Sequence, residues 1–347
     1  MRIGILKRVA SLTDLEKCLI TVAKAFGHDA FVFTASNVDF EKRIIAGKTL
    51  IQDKIIKQSF PFPHVIQNRL TMAIEDKPIY LKLAEQIPFT THRIGSKAAV
   101  SEKLEKIDCI QQNLIEVIPV QHAPQISVYL HMHQRVILKP TAGLQARGIY
   151  TLFLNGHTVQ VQHQQQNEFI ALDQLDSFYQ KNIHGKAYLM SPYIVGLTRQ
   201  GQTIVWRIHL ARGENAEWQL IKYFPYVNLD ASHTVTNGMQ GALISTRETL
   251  FLEQQFPAVK NIVHAEILRI AREFPSRFQT FYPYYLDALG LDVAITEQGR
   301  VYIYEVNAGA GVGFMNFPVA MAQVRYMEYL VQQARPPFAH NFLPTVL

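Results

Sequence analysis

The chain has 347 residues, 48% of them hydrophobic and 18% charged, enough to bury the core of two or three domains. No apolar stretch is long enough for a signal peptide or a membrane span, so a cytoplasmic location and no membrane partner are expected; Cys18 and Cys109 lie far apart in no motif, which implies neither a disulfide framework nor a zinc site. The net charge of +6 would suit a polyanion, yet the basic residues are scattered and form no nucleic-acid module, so an anionic small molecule accounts for the charge better than DNA or RNA does.

Residues 2–6 (Arg-Ile-Gly-Ile-Leu) form a short apolar run, 11–26 have helical spacing, and 30–34 (Ala-Phe-Val-Phe-Thr) read as a second buried strand. Pro61, Pro63 and Pro78 mark loops, and Ser96 is placed to N-cap a helix that opens at Lys97. A strand over 135–139 leads into a glycine-containing loop, 140–148, then a strand over 149–154 and an Asn155-Gly156 hairpin turn. The Gln/His-rich 160–167 reads as a solvated strand end or loop tip. From about 187, strands alternate with a helix near 258–274, and a final helix, 317–334, is stopped by Pro336-Pro337.

The most informative segment is 291–307. Two runs rich in β-branched and aromatic residues, 291–296 and 300–306, flank a Gln298-Gly299 turn. With these two as the loop, Glu297 faces Arg300 and Asp292 falls opposite Glu305; strand alternation then turns Asn307 the same way. Like charges across a ladder repel, so the three oxygens make most sense around a cation, and hard oxygen ligands suit Mg2+ or Mn2+. A solvated polar face with the register one residue off is the alternative.

Other candidates are less specific. Lys139 ends an apolar run before the glycine loop, where it could hold phosphate oxygens or simply precede a proline turn at the surface. Lys97 sits in a first helical turn, where a cation is mildly unfavourable. Arg207, inside the apolar Ile204-Val-Trp-Arg-Ile-His-Leu210, needs either a core carboxylate or an anionic ligand, and Arg147 in the glycine loop could act similarly. His131-Met-His133 has no third ligand nearby, the aromatic run 281–285 suits packing, and no nucleophile triad is visible.

Together these residues resemble the ATP-grasp superfamily, and more narrowly its YheC/YheD-type, endospore coat-associated branch. The likeness runs through Val38-Asp-Phe-Glu-Lys, Pro61-Phe-Pro-His-Val-Ile-Gln-Asn-Arg-Leu70, Val136-Ile-Leu-Lys-Pro-Thr-Ala-Gly, Arg147-Gly-Ile, Leu289-Gly-Leu-Asp-Val-Ala-Ile and Tyr304-Glu-Val-Asn. It implies an α/β (α+β) ATP-grasp fold with an N-terminal α/β domain over 1–95, a central subdomain with the phosphate loop over 96–186, and a C-terminal subdomain with the Mg2+ site over 187–347. By the resemblance Lys97 and Lys139 contact ATP phosphates, and loop 141–148, with Gly143, Arg147 and Gly148, closes over them. Met190, Ser191 and Tyr193 belong to the hinge that receives adenine. Asp292, Glu305 and Asn307 hold Mg2+, or Mn2+. Arg207 steadies the transferred phosphoryl group, with Asn237 in a loop beside it.

The implied activity is an ATP- and Mg2+-dependent carboxylate–amine ligase acting on small-molecule or peptide carboxylates and amines. A non-catalytic nucleotide-binding protein with a spore-coat or assembly role is the alternative. The chain departs from the family pattern in a glycine-poor phosphate loop, a hinge without an acidic or amide side chain, Val205 where aspartate is common, Gly241-Ala242 for a Gly-Gly pair, and Asn307-Ala-Gly-Ala-Gly311 for a Pro-Gly ending.

Overall fold

The computed structural model describes residues 1–141, 148–163, 166–229, 242–309 and 313–342. Three sheets follow one another along the chain. The first contains β1 (Arg2–Leu6), β2 (Asp29–Phe33), β3 (Val38–Asp39), β4 (Ile44–Ile51), β5 (Lys54–Pro61) and β6 (Val65–Asn68), in the order β3-β4-β2-β1-β6 with β5 paired to β4. The apolar β1 lies between β2 and β6 and runs parallel to both, as suits a strand buried on both faces. Helix α1 (Asp14–Ala25) connects β1 to β2, and α2 (Lys77–Ala84) follows β6. Pro78, expected in a loop, instead lies in the first turn of α2, where its missing N–H costs nothing.

Three further helices, α3 (Lys97–Leu104), α4 (Ala123–His133) and α5 (Leu175–Asn182), belong to the middle of the chain. Ser96 caps α3, its hydroxyl accepting from the Ala99 N–H at 3.3 Å. His131 and His133 lie on α4, where a two-residue spacing points side chains apart and suits no shared metal. The second sheet is antiparallel: β7 (Ile118–Pro119), β8 (Arg135–Pro140), β9 (Tyr150–Asn155), β10 (Thr158–His163), β11 (Gln166–Ala171) and β12 (Tyr188–Pro192), ordered β11-β10-β9-β8-β12-β7. Its inner face packs on α4 and α5 in a core of its own, built from Ile126, Leu130, Leu138, Leu152, Phe178 and Met190. Strand β12, which lies beyond the expected boundary at 186, is hydrogen-bonded into this second sheet.

The third sheet contains β13 (Gly196–Leu197), β14 (Thr203–Arg212), β15 (Trp218–Val227), β16 (Leu243–Ile244), β17 (Ala288–Ile295) and β18 (Val301–Ala308), ordered β16-β15-β14-β17-β18 with β13 against β14. Helices α6 (Glu248–Gln255) and α7 (Lys260–Gln279) cover one face, α6 through Leu252 and α7 through Ile267, Ile270 and Phe274, in one core with Trp206, Ile208, Leu289 and Leu291. Helix α7 continues past Pro275, where the sequence pattern suggests an end. Phe274 and Phe278 are both fully buried, so packing on either side of the proline offsets its missing hydrogen bond. The last helix, α8 (Asn316–Gln333), lies between the third sheet and the first: Val319, Val324 and Met327 share a core with Ile3, Ile5, Leu19 and Phe224.

Buried Glu16 ties the first sheet to α1. Its carboxylate accepts from the Thr13 N–H at 2.9 Å, Lys7 Nζ at 2.7 Å and Arg69 Nη2 at 2.8 Å. Burial alone would raise its pKa, but the Lys7, Thr13 and Arg69 hydrogen bonds outweigh that and hold it at about 2. Because folding depresses this pKa, the stabilisation is fully present above the ordinary glutamate value of 4.5 and fades as pH falls toward 2. Glu16→Gln should therefore destabilise the fold by about 3 kcal/mol in urea titrations at pH 7 and flatten the loss of stability on acidification.

Candidate active site

The β17–β18 hairpin supplies the site, and its construction differs from the expectation in two respects, its loop and its register. Thr296, not Glu297, pairs with Arg300 (N–H to O, 3.0 Å), and the loop has three residues, Glu297–Gly299, closed by the Gly299 N–H to Thr296 O at 2.9 Å. Gly299 has φ +78°, the left-handed conformation a three-residue hairpin loop requires. Taken alone, this longer loop would slip the ladder by one residue. A bulge corrects it: Val293 pairs with Ile303 while Asp292 pairs with Glu305, leaving Tyr304 as the extra residue. The expected Asp292–Glu305 pairing is present, reached by two offsetting irregularities. A side chain at Gly299 would also meet Val259 Cβ at 2.9 Å. Gly299→Ala should cost about 2 kcal/mol in thermal or chemical denaturation through backbone strain and this clash.

Around the pair, charge alternates across neighbouring strands. Arg207 on β14 is in register with Asp292 and grips it with both arms, Nε to Oδ1 at 2.6 Å and Nη2 to Oδ2 at 3.1 Å. Asn307 Nδ2 donates to Glu305 Oε1 at 3.0 Å and reaches Asp292 Oδ2 at 3.4 Å. Lys97, at the start of α3 with its side chain 88% exposed, extends its Nζ to Glu305 Oε2 at 2.8 Å. Burial raises the Asp292 pKa, and the neighbouring Glu305 adds to the rise against the opposing pull of Arg207. Glu305 goes the other way: burial is outweighed by hydrogen bonds from Asn307 and Lys97, which hold it below the usual range. Two adjacent carboxyl groups pushed apart in this way titrate as a pair.

Lys139, the last residue but one of β8, lies close to the same group. It keeps solvent access, but the protein around it and then the Lys97 ammonium lower its pKa, while Glu305 opposes the shift. Two ammonium groups held near each other favour an anion between them. Gly148 has φ +76° and its carbonyl accepts from the Tyr188 hydroxyl at 2.9 Å, anchoring the far end of the glycine loop to β12. Gly143, Arg147 and Asn237 lie outside the described residues. On β12 the Met190 side chain is fully buried in the second core and Ser191 is buried, so this segment presents mainly backbone. The Tyr193 N–H donates to Arg135 O at 2.9 Å, its ring packs edge-on against Phe153, and burial raises its hydroxyl pKa to about 12.

Tyr304 and His209 were not among the expected site residues. The Tyr304 hydroxyl donates to Ile194 O at 2.6 Å and so ties the hairpin beside Glu305 to the segment after β12. Its position on a bulge is invisible to simple alternation. His209, by contrast, shares the period-two face of Arg207, a signal present in the sequence.

A family profile described as "YheC/D like ATP-grasp" matches residues 86–334. The chain belongs to that family. It is 22% identical over 313 residues to the endospore coat-associated protein YheD of Bacillus subtilis (strain 168), covering 86% of this chain and 68% of that protein. It is 22% identical to YheC of the same organism over 248 residues, covering 68% and 66%. The chain thus spans about two thirds of the length of both relatives. Among solved structures, it is similar to a Chryseobacterium gregarium RiPP-associated ATP-grasp ligase in complex with ADP and a leader and core peptide (TM-score 0.51, 11% identity, covering 94% of this chain and 97% of that one). It is also similar to the C-terminal domain of K. lactis Pby1, an ATP-grasp enzyme interacting with the mRNA decapping enzyme Dcp2 (TM-score 0.51, 9% identity, 92% and 90%). The three-sheet arrangement is therefore an α/β ATP-grasp fold. No helix among the described residues is long and apolar enough to cross a membrane.

Proposed function

We propose that this ATP-grasp protein is an ATP- and Mg2+-dependent carboxylate–amine ligase acting through an acyl phosphate on a small-molecule or peptide carboxylate and an amine. One observation carries the reading: the continuous strip Lys97–Glu305–Asn307–Asp292–Arg207, with Lys139 beside it. Its two carboxylates and one amide oxygen are a hard donor set of charge −2 that fits Mg2+ or Mn2+. Asn307 directs its Nδ2 at the carboxylates, so serving as an oxygen ligand requires its amide to turn. The ion, when bound, supplies charge neutralisation at phosphate oxygens.

A carboxylate resists attack by amines because its leaving group is poor. Transfer of the ATP γ-phosphoryl group to a carboxylate oxygen, with ADP leaving, makes the carbonyl reactive; amine attack then forms the amide and releases phosphate and a proton. Negative charge gathers on the phosphoryl oxygens in that transfer, so Lys97, Lys139 and Arg207 act by positioning and electrostatics. Arg207 is held ready by Asp292 and becomes available to an anion once a cation takes over that carboxylate. Backbone groups after β12 would receive adenine, with Gly143, Arg147 and Gly148 over the phosphates and Asn237 near the transferred group. Cytoplasmic work with a spore association, suggested by the relatives' names, suits this reading.

Calorimetric titration with a non-hydrolysable ATP analogue should show Mg2+-dependent binding. Glu305→Gln should weaken the Mg2+-dependent part at least about tenfold and suppress ADP release. Unchanged ATP turnover in Glu305→Gln would sink the metal assignment. The second reading, a non-catalytic nucleotide-binding protein, is favoured by the glycine-poor loop and the buried Met190 side chain; nucleotide binding without ADP release, whatever acids and amines are offered, would select it.

A further inference from the structure

Charge is distributed unevenly along the row of side chains that crosses the third sheet. Directly paired residues carry this row from Glu305 on β18 to Asp292 on β17, Arg207 on β14 and Phe224 on β15, about 14 Å over three strand spacings. Lys97 and Lys139 stand at the Glu305 end. The opposite end is aromatic and aliphatic. Tyr226, two residues beyond Phe224 on the same face of β15, has its ring centroid 6.0 Å from the Arg207 guanidinium carbon. It pairs in turn with Ile244 on the edge strand β16.

Phe314, just before α8, stands edge-on to Phe224 with 5.1 Å between ring centroids, and Phe224 is tilted against Tyr226 at 5.3 Å. Phe224 is buried and completes the core under α8. Phe314 is 41% exposed, and Tyr226 and Ile244 are half-buried at the margin of that core. A lone exposed phenylalanine needs no explanation. Three apolar side chains grouped at the uncharged end of a row that begins with two lysines give the surface a direction.

In phosphoryl transfer the attacking and leaving oxygens lie roughly in line. With the lysines holding phosphates at the Glu305 end, ADP departs on that side and the attacking carboxylate approaches from the Arg207 side. A guanidinium suits the carboxylate itself. Whatever the carboxylate is attached to then lies over Phe314, Tyr226 and Ile244. A charged or strongly polar body there would lose water against two aromatic rings and an isoleucine, with little to replace its hydrogen bonds.

We infer that the carboxylate substrate bears an aromatic or aliphatic group, seated on Phe314, Tyr226 and Ile244 with its carboxylate at Arg207. Calling that molecule the substrate rests on the ligase reading above; the preference of this surface for an apolar carboxylate does not.

The test is calorimetric titration of phenylacetate, acetate and succinate into the full chain, with Mg2+ and the non-hydrolysable ATP analogue present. The three probes share a carboxylate and differ in what it carries. Phenylacetate should bind at least about tenfold more tightly than the other two, the size of a ring's burial and aromatic contact. In Phe314→Ser its affinity should fall at least about fivefold while that of acetate does not change, and Phe314→Leu should restore most of the loss. Ile244→Ser, on a different strand, decides the matter if Phe314→Ser does not fold. Affinity for the ATP analogue, measured in each variant, checks the nucleotide site. Absent phenylacetate binding, equal binding of the three probes, or an unchanged phenylacetate affinity in the serine variants overturns the assignment. If the analogue does not bind, yet phenylacetate keeps its preference and its dependence on Phe314, the surface assignment stands and the ligase reading falls.

Discussion

Two like-charged carboxylates facing each other across a β-ladder are the constraint around which the site is organised. Left alone, Asp292 and Glu305 would repel and destabilise the hairpin. Each is answered by a cation from a different part of the fold: Arg207 from the adjacent strand and Lys97 from the helix that leads into the central part of the chain. This distribution gives the paired charges a second use under the proposed function. In that reading an incoming polyphosphate would draw away the groups that neutralise the carboxylates, and a cation would free those groups for phosphate, each vacating partners for the other.

The bulge at Tyr304 shows how narrowly such a patch is specified. A three-residue loop alone would turn Glu305 to the opposite face of the sheet. The bulge restores it, and the displaced Tyr304 is used to fasten the hairpin to Ile194. The correction therefore doubles as a link between the third sheet and the segment leaving the second.

Much of this was legible from residue order. Apolar runs placed β1 and β2, Ser96 marked the start of α3, and Asn155-Gly156 marked the β9–β10 turn, because each is a local signal with a local cause. The Asp292–Glu305 pairing was legible although the loop length was not, since strand alternation is insensitive to two compensating one-residue changes. Other features depend on contacts distant in sequence. Nothing local to Pro275 says that buried phenylalanines on either side will carry α7 through it, and nothing local to Pro78 distinguishes a loop from a first helical turn. The apolar surface beside Arg207 was out of reach for the same reason: Tyr226, Ile244 and Phe314 come from three separate segments.

Helix α8 has a consequence for how the protein is made. It covers the third sheet and also completes the core under β1, where Glu328 meets His28 at 2.7 Å, 300 residues away in sequence. At ordinary ribosomal rates those residues emerge roughly 15–60 s apart. Throughout that interval the face formed by Ile3, Ile5 and Leu19 has no lid, while the second sheet, with a core drawn from its own stretch of chain, can already be complete. The nascent protein is thus expected to mature from the middle outward, its earliest residues being among the last to find their final packing.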